Sequence, residues 1–324
     1  MRLLVLGGTS FLGRHVVTQA LERGWDVTTF NRGVTGTADP RVDARHGDRT
    51  TEDGYAALGT TDEWDVVVDT SGQQPRAVQR GARLLEGRVG RYAFVSSISV
   101  YVEGLPGRID ESSPVVDGAP GGVDLDYAAS KAGAERAVCE SFEEAILVRA
   151  GLILGPHENV SRLPYWLRRC AEGGTVLAPG RPGRPLQYVD ARDLTDWTLD
   201  AVSGSEVRGP FNLTQPPGHA TMGELLERCV EVTGGGAQLQ WVDDERLLAA
   251  GGEPWMEIPI WVPQGGEWEG FYEVNVDKAV ASGLKPRSVQ STVDDTWQAG
   301  LPPARPNIGM TREREAELLA RVRT

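Results

Sequence analysis

Arg2-Leu3-Leu4-Val5-Leu6-Gly7-Gly8-Thr9-Ser10-Phe11-Leu12-Gly13 opens the chain behind Met1. A short, mostly apolar run enters a glycine pair. Residues 14–23 then have helix-compatible composition, with Val16, Val17, Ala20 and Leu21 on roughly one face. Gly24 reads as the stop and residues 26–30 as a second strand. Strand, glycine-rich loop, helix and strand make a βαβ unit. In such a unit the loop lays a dinucleotide pyrophosphate on the helix N-terminus. Gly7 permits the tight turn and Gly13 permits close helix–sheet packing. Ser10 stands where the three-glycine spacing wants its middle glycine. Gly7, Thr9, Ser10, Phe11, Leu12 and Gly13 are therefore the expected loop contacts.

Working outward, further strands are predicted around 45–47, 65–69, 92–96 and 145–149. The β-branched run Val66-Val67-Val68 reads as a central parallel strand buried on both faces. Helices are predicted over 75–85 and 127–142. The fold class is α/β, a doubly wound parallel sheet (Rossmann) with a smaller C-terminal substrate-binding lobe. The dinucleotide-binding domain is placed at 1–155, with 186–205 returning to it. The lobe takes most of 156–310, and 311–324 is an amphipathic surface helix. Within this second half the pattern predicts helices over 161–172, 191–201 and 221–233, the last capped by Thr221 with Glu224 three residues on. Strands are expected at 186–189 and 211–214, and a Pro/Gly/Arg loop at 178–185. Asp193 is expected to cap a helix and Asn212 to fix a turn. Cys139 is expected in the core. The aromatic segment 255–272 reads either as a lid over substrate or as the packed core of the lobe.

Composition narrows the function. The chain has 324 residues, 40% hydrophobic and 24% charged, a globular balance. Its net charge of -13 argues against a nucleic-acid partner. No apolar run approaches the ~18–20 residues of a membrane span. The apolar start is broken at once by Gly7 and Gly8, so it does not read as a signal peptide. Cys139, Cys170 and Cys229 are far apart, and His15, His46, His157 and His219 are scattered. Neither a disulfide framework nor a metal site is expected, and a cytoplasmic location fits.

Chemistry concentrates in two places. Ser96-Ser97-Ile98-Ser99-Val100-Tyr101 follows the fifth strand, where open α/β sheets place ligands. Tyr127 and Lys131 are four apart, on one helix face. A free tyrosine titrates near pH ~10 and is a poor base at neutral pH. A neighbouring ammonium and a cationic nicotinamide favour its phenolate. Ser97 would then hold the substrate oxygen, Tyr127 exchange its proton, and Lys131 also hold the nicotinamide ribose. Cofactor choice is read at the end of the second strand, where a free ribose 2'-hydroxyl wants an acidic residue. Asn31 and Arg32 stand there instead, which favours the 2'-phosphate of NADP and leaves NAD as the alternative. Asp48 and Arg49 are placed by the adenine, and Thr70, Ser71 and Gly72 near the cofactor's middle.

These motifs, with Arg149-Ala150-Gly151, Gly155-Pro156 and the 187–194 stretch, resemble the extended short-chain dehydrogenase/reductase superfamily. The resemblance is to its NAD(P)-dependent epimerase/dehydratase-like group, in an atypical branch that also contains RNA-associated plant plastid proteins. It runs through nearly the whole chain and implies hydride transfer with Ser97, Tyr127 and Lys131 as the triad. Two departures matter. Ile98 and Ser99 occupy the Asp-Glu places of sugar-nucleotide 4,6-dehydratases, and Leu152 replaces an Asn common in sugar-nucleotide enzymes. Arg162, Arg181 and Arg184 remain candidates for a diphosphate, and His157 and Glu158 lie near the expected cleft mouth. The expected function is an NADP-dependent oxidoreductase interconverting a carbonyl and a secondary alcohol on a small molecule. The alternatives are a sugar or sugar-nucleotide epimerase, and a non-enzymatic dinucleotide-sensing or RNA-associated module. A homodimer is also expected on superfamily grounds.

Overall fold

The computed structural model describes residues 1–104, 108–268 and 270–322. Apolar β1 (Arg2–Leu6) feeds the glycine loop, which turns into α1 (Phe11–Glu22) and then β2 (Asp26–Asn31). The first half continues through β3 (Asp43–His46), β4 (Trp64–Asp69), α2 (Pro75–Leu85), β5 (Val89–Ser97), α3 (Tyr127–Cys139) and β6 (Ile146–Ala150). The later elements in chain order are β7 (Leu152–Leu154), α4 (Arg162–Ala171), β8 (Gly174–Pro179), β9 (Pro185–Leu186), β10 (Tyr188–Asp190), α5 (Ala191–Ser203) and β11 (Gly209–Leu213). They close with β12 (Ala220–Thr221), α6 (Met222–Thr233), β13 (Ala237–Val242), α7 (Asp244–Ala249), β14 (Pro254–Trp255), β15 (Ile258–Pro259), α8 (Asp277–Ala281), α9 (Val289–Gln298) and α10 (Arg312–Arg321).

The main sheet has seven strands in the order β11-β6-β5-β4-β1-β2-β3, and every pairing in it is parallel. Val66, Val67 and Val68 are buried in β4, between β1 and β5, as a continuous β-branched run demands. The strand order reverses between β1 and β4. Chains leave those two strands toward opposite faces, so a crevice opens beyond their carboxyl ends. Helices α1 and α5 pack together on one side of the sheet, and α2 and α3 on the other.

A separate apolar cluster in the second half gathers α4, α6, α9 and the parallel pair β8–β13. That pair was not foreseen. Residues 178–179 end β8, inside what the sequence reads as loop, because strand β13 supplies hydrogen-bond partners about sixty residues on. The strand expected at 186–189 divides: Leu186 pairs with Ala220, and Tyr188–Asp190 pairs with β7. Thr221 and Glu224 form the expected capping box. Asp190, not Asp193, caps α5, accepting from the Arg192 N–H. Asp193 instead binds Arg287 at 2.6 Å. Asn212 fixes no turn; it lies in β11 and bonds the Tyr101 hydroxyl and the Asn275 carbonyl. Cys139 is exposed at the end of α3 rather than buried in the core. One face of α10 is buried: Leu318 and Leu319 join the second cluster, and Glu315 pairs with Arg169 at 2.8 Å. Among the described residues, no helix is long and apolar enough to cross a membrane.

Candidate active site

Backbone geometry makes the loop. Gly7 has φ 128° and Gly8 φ 103°, where side chains are strained. A Cβ on Gly13 would lie 2.5 Å from the Gly8 nitrogen, so only glycine lets α1 come this close. Ser10 is extended, with φ −130° and ψ 142°, so its position does not require glycine. Its hydroxyl accepts from the Asn159 side chain at 2.7 Å, a contact across 149 residues.

A cleft of about 600 Å³ runs from this loop past β2 and β4 to α3. Gly7, Thr9, Ser10, Phe11, Leu12, Gly13, Asn31, Arg32, Asp48, Arg49, Thr70 and Ser71 all line it, together with Tyr127 and Lys131. Asn31 braces its edge, donating to the Gly7 carbonyl at 3.0 Å and accepting from the Gly33 N–H. Arg32 is exposed at the rim, with no hydrogen bond or ion pair among the described residues. Thr50 hydrogen bonds, then the Arg32 charge, hold the half-buried Asp48 below the usual carboxylate range.

Three expected residues sit differently from the sequence reading. The Arg49 guanidinium is committed to Asp69 by two 2.8 Å bonds, and also reaches Tyr55 and Ser71, so it braces the cleft wall. Burial opposes the Asp69 charge, but Arg49 outweighs it and holds that carboxyl below its ordinary range. Gly72 does not line the cleft. A Cβ there would meet Phe94 at 2.4 Å, and its carbonyl accepts from Lys131 at 2.9 Å. Ser97 does not line it either. Its hydroxyl accepts from the Ser99 N–H and lies 3.1 Å from the Ser99 hydroxyl, turning the chain after β5. Successive strand residues face opposite ways, and it is Ser96 that reaches the cleft, its buried hydroxyl lacking a partner among the described residues.

Asp126 caps α3 by accepting from the Ala129 N–H, which starts the helix at Tyr127. Tyr127 is more than half exposed at the cleft, and Lys131, one turn on, is buried. Its ammonium donates to the Gly72 and Val95 carbonyls at 2.9 and 3.0 Å, leaving one N–H uncommitted. Burial pushes it down to about 8. A second buried pair, Glu135 with Arg149 at 2.8 and 3.0 Å, ties the next turn of α3 to β6. Arg149 also bonds Tyr101.

Sequence reasoning missed Ser96, Gln73, Gln74, Ile153 and Asn159 as cleft residues. Ile153 and Asn159 flank Gly155-Pro156, where the chain returns to the cleft, and that return was the available signal. Glu158 is buried, with both oxygens on the N–H groups that begin α4; burial raises it to about 7. The His157 ring lies tilted against that of His15, which bonds the Pro156 carbonyl. Arg184 is engaged by Asp244 at 2.7 Å. The tryptophans divide: Trp261 is core, whereas Trp255 and Trp268 are partly buried at the cluster's edge.

A glycine-loop cleft at the switch point of a parallel sheet, ending on Tyr127 and Lys131, defines a dinucleotide-dependent enzyme of oxidoreductase type. The chain belongs to the NAD dependent epimerase/dehydratase family, whose sequence profile matches residues 3–213. That membership carries an NAD-type cofactor and oxidoreductase or epimerase chemistry on a small molecule. No curated protein matches the chain. Among solved structures, it is similar to the Bordetella bronchiseptica enzyme WbmH in complex with NAD+ (TM-score 0.70, 16% identity, 92% of this chain and 97% of that one). It is also similar to UDP-glucose 4-epimerase from Thermotoga maritima with UDP-glucose (TM-score 0.67, 17% identity, 92% and 98%). A third is dTDP-glucose 4,6-dehydratase from Bacillus anthracis in complex with NAD (TM-score 0.67, 16% identity, 92% and 96%). At these identities the likeness is one of fold.

Proposed function

We propose that the protein is an epimerase of a sugar-type small molecule, oxidising a secondary alcohol and re-reducing it from the other face on one retained NAD-type cofactor. The observation that carries this is the single cleft joining the glycine loop to Tyr127 and Lys131. Family membership and the sugar-nucleotide enzymes among its structural neighbours support the substrate class. The residues fit the cofactor: the glycine loop and the first turn of α1, which Ser10 leaves without a side-chain cap, line the cleft, and the Ser96 hydroxyl faces it without a partner among the described residues. When bound, the dinucleotide accepts a hydride and returns it. Tyr127 takes the alcohol proton and later gives it back. The Lys131 ammonium stabilises the phenolate and offers its remaining N–H to a ribose hydroxyl. The exposed Ser99 hydroxyl, held by Ser97 off the cofactor stretch of the cleft, orients the substrate oxygen.

The test is to denature the purified protein, identify the nucleotide released, and follow free and nucleotide-linked aldoses by NMR. Inversion at one carbon, with about one NAD(H) per chain and none consumed, supports the reading; Tyr127→Phe must abolish it. A second reading, net NADP-dependent carbonyl reduction, is favoured by Arg32 at the rim and by the apolar Leu152. It predicts freely exchanging NADPH, consumed with carbonyl substrates, and an Arg32→Ala variant that binds NADPH no better than NADH. Equal binding of both cofactors by the unmodified protein counts against it.

A further inference from the structure

Arg162 begins α4 three residues after Asn159 lines the cofactor cleft. Its guanidinium has no hydrogen-bond acceptor and no carboxylate partner among the described residues, and its Nε is buried and unsatisfied. The nearest carboxylate, Glu158, has both oxygens on backbone N–H groups. Neighbouring arginines are engaged: Arg169 by Glu315, Arg184 by Asp244, Arg168 by the Pro302 carbonyl. A desolvated cation without an acceptor is unfavourable unless a ligand supplies one.

The surroundings aim this cation. Its Cζ lies 4.3 Å from the centroid of the Trp255 ring. Trp255 has φ 68°, a costly conformation for a bulky residue. Its ring is held edge-on by Phe271 at 5.2 Å, and Phe271 packs in turn on Trp268 and Tyr272. A guanidinium laid on an aromatic face keeps its N–H groups in its own plane, free for a planar oxyanion. Asn159, three residues before Arg162, lines the same cleft as Tyr127.

We propose that Arg162, stacked on Trp255, binds a single carboxylate of the substrate through two parallel N–H···O bonds at the edge of the cleft that carries Tyr127. This rests on the epimerase reading only in placing Tyr127 at the reacting carbon. A diphosphate carries more negative charge than one guanidinium balances. Arg184 is already paired, and Arg181 is exposed on its loop. The substrate class is therefore a sugar acid or related hydroxy acid.

The test uses the full chain with its cofactor bound, tryptophan fluorescence and titration calorimetry. The probes are D-glucuronate and lactate as carboxylates, D-glucose as the neutral sugar, and pyrophosphate and UDP as the diphosphate class. D-glucuronate is expected to bind and D-glucose not to. Arg162→Gln should weaken D-glucuronate at least tenfold, and Arg162→Lys less, because an ammonium keeps the charge and loses the fork. Cofactor affinity should stay unchanged in both, which also reports folding. Carboxylate binding that survives Arg162→Gln, absent carboxylate binding, or Arg162-dependent binding of UDP or pyrophosphate tighter than D-glucuronate overturns the proposal. Arg162-dependent carboxylate binding without epimerisation or reduction of any substrate would remove the functional reading and leave this one standing.

Discussion

Lys131 buries an ammonium held by two backbone carbonyls. Burial lowers it from 10.5 to about 8. Below about 8 both folded and unfolded chains are protonated and the burial cost is fully present, on the order of 3 kcal/mol. Between about 8 and 10.5 the unfolded chain binds more protons, so stability rises with pH there. Lys131→Met should therefore lose activity by more than a hundredfold. Its Tm advantage over the unmodified cofactor-free protein should be greatest below pH 8 and shrink toward pH 10. Melting curves at three pH values check this, and parallel curves would count against it. Ser96 and Ser97 differ by one residue and face opposite ways. Ser96→Ala is expected to raise the cofactor Kd several-fold with kcat unchanged. Ser97→Ala should lower kcat about 10–100-fold at unchanged cofactor affinity. Calorimetry paired with steady-state kinetics separates the two.

Helix α3 is the element that sets the reacting geometry. It carries Tyr127 and Lys131 on one face, and the buried Glu135–Arg149 pair fixes its next turn to β6. Breaking one member of such a pair leaves a buried charge alone and costs about 3–5 kcal/mol. Glu135→Leu and Arg149→Met should each destabilise by that order in urea unfolding, and the double variant by less than either. Additive losses would mean the pair does not act as a unit. The start of α3 was legible, since the helix expected from Tyr127 begins there. The partner that orients it was not, because Glu135 and Arg149 meet only when β6 folds against the helix.

At the scale of the molecule, the cleft ties the glycine loop to the chain beyond β7. Asn159 donates to Ser10, and His15 binds the Pro156 carbonyl across 141 residues. The loop that receives the cofactor is thus tied to the segment leading into Arg162. Asn159→Ala should weaken cofactor binding about tenfold, and the Tm rise on adding cofactor should fall with it. Differential scanning at fixed cofactor concentration checks this, and an unchanged rise would place Asn159 outside the binding energetics.

The parallel sheet, the glycine loop and the Tyr127–Lys131 spacing were legible in the chain itself. Local patterning encodes them: Leu3–Leu6 and Val66–Val68 must be buried, Gly7 and Gly13 answer steric demands within one βαβ unit, and four residues make one helical turn. Tertiary structure alone decided that Ser96 rather than Ser97 lines the cleft and that Arg49 is consumed by Asp69. It alone paired β8 with β13 and left Arg162 on Trp255 without an acceptor among the described residues. Each of these depends on which charge or backbone edge meets another across a long stretch of chain, and no local period records such meetings.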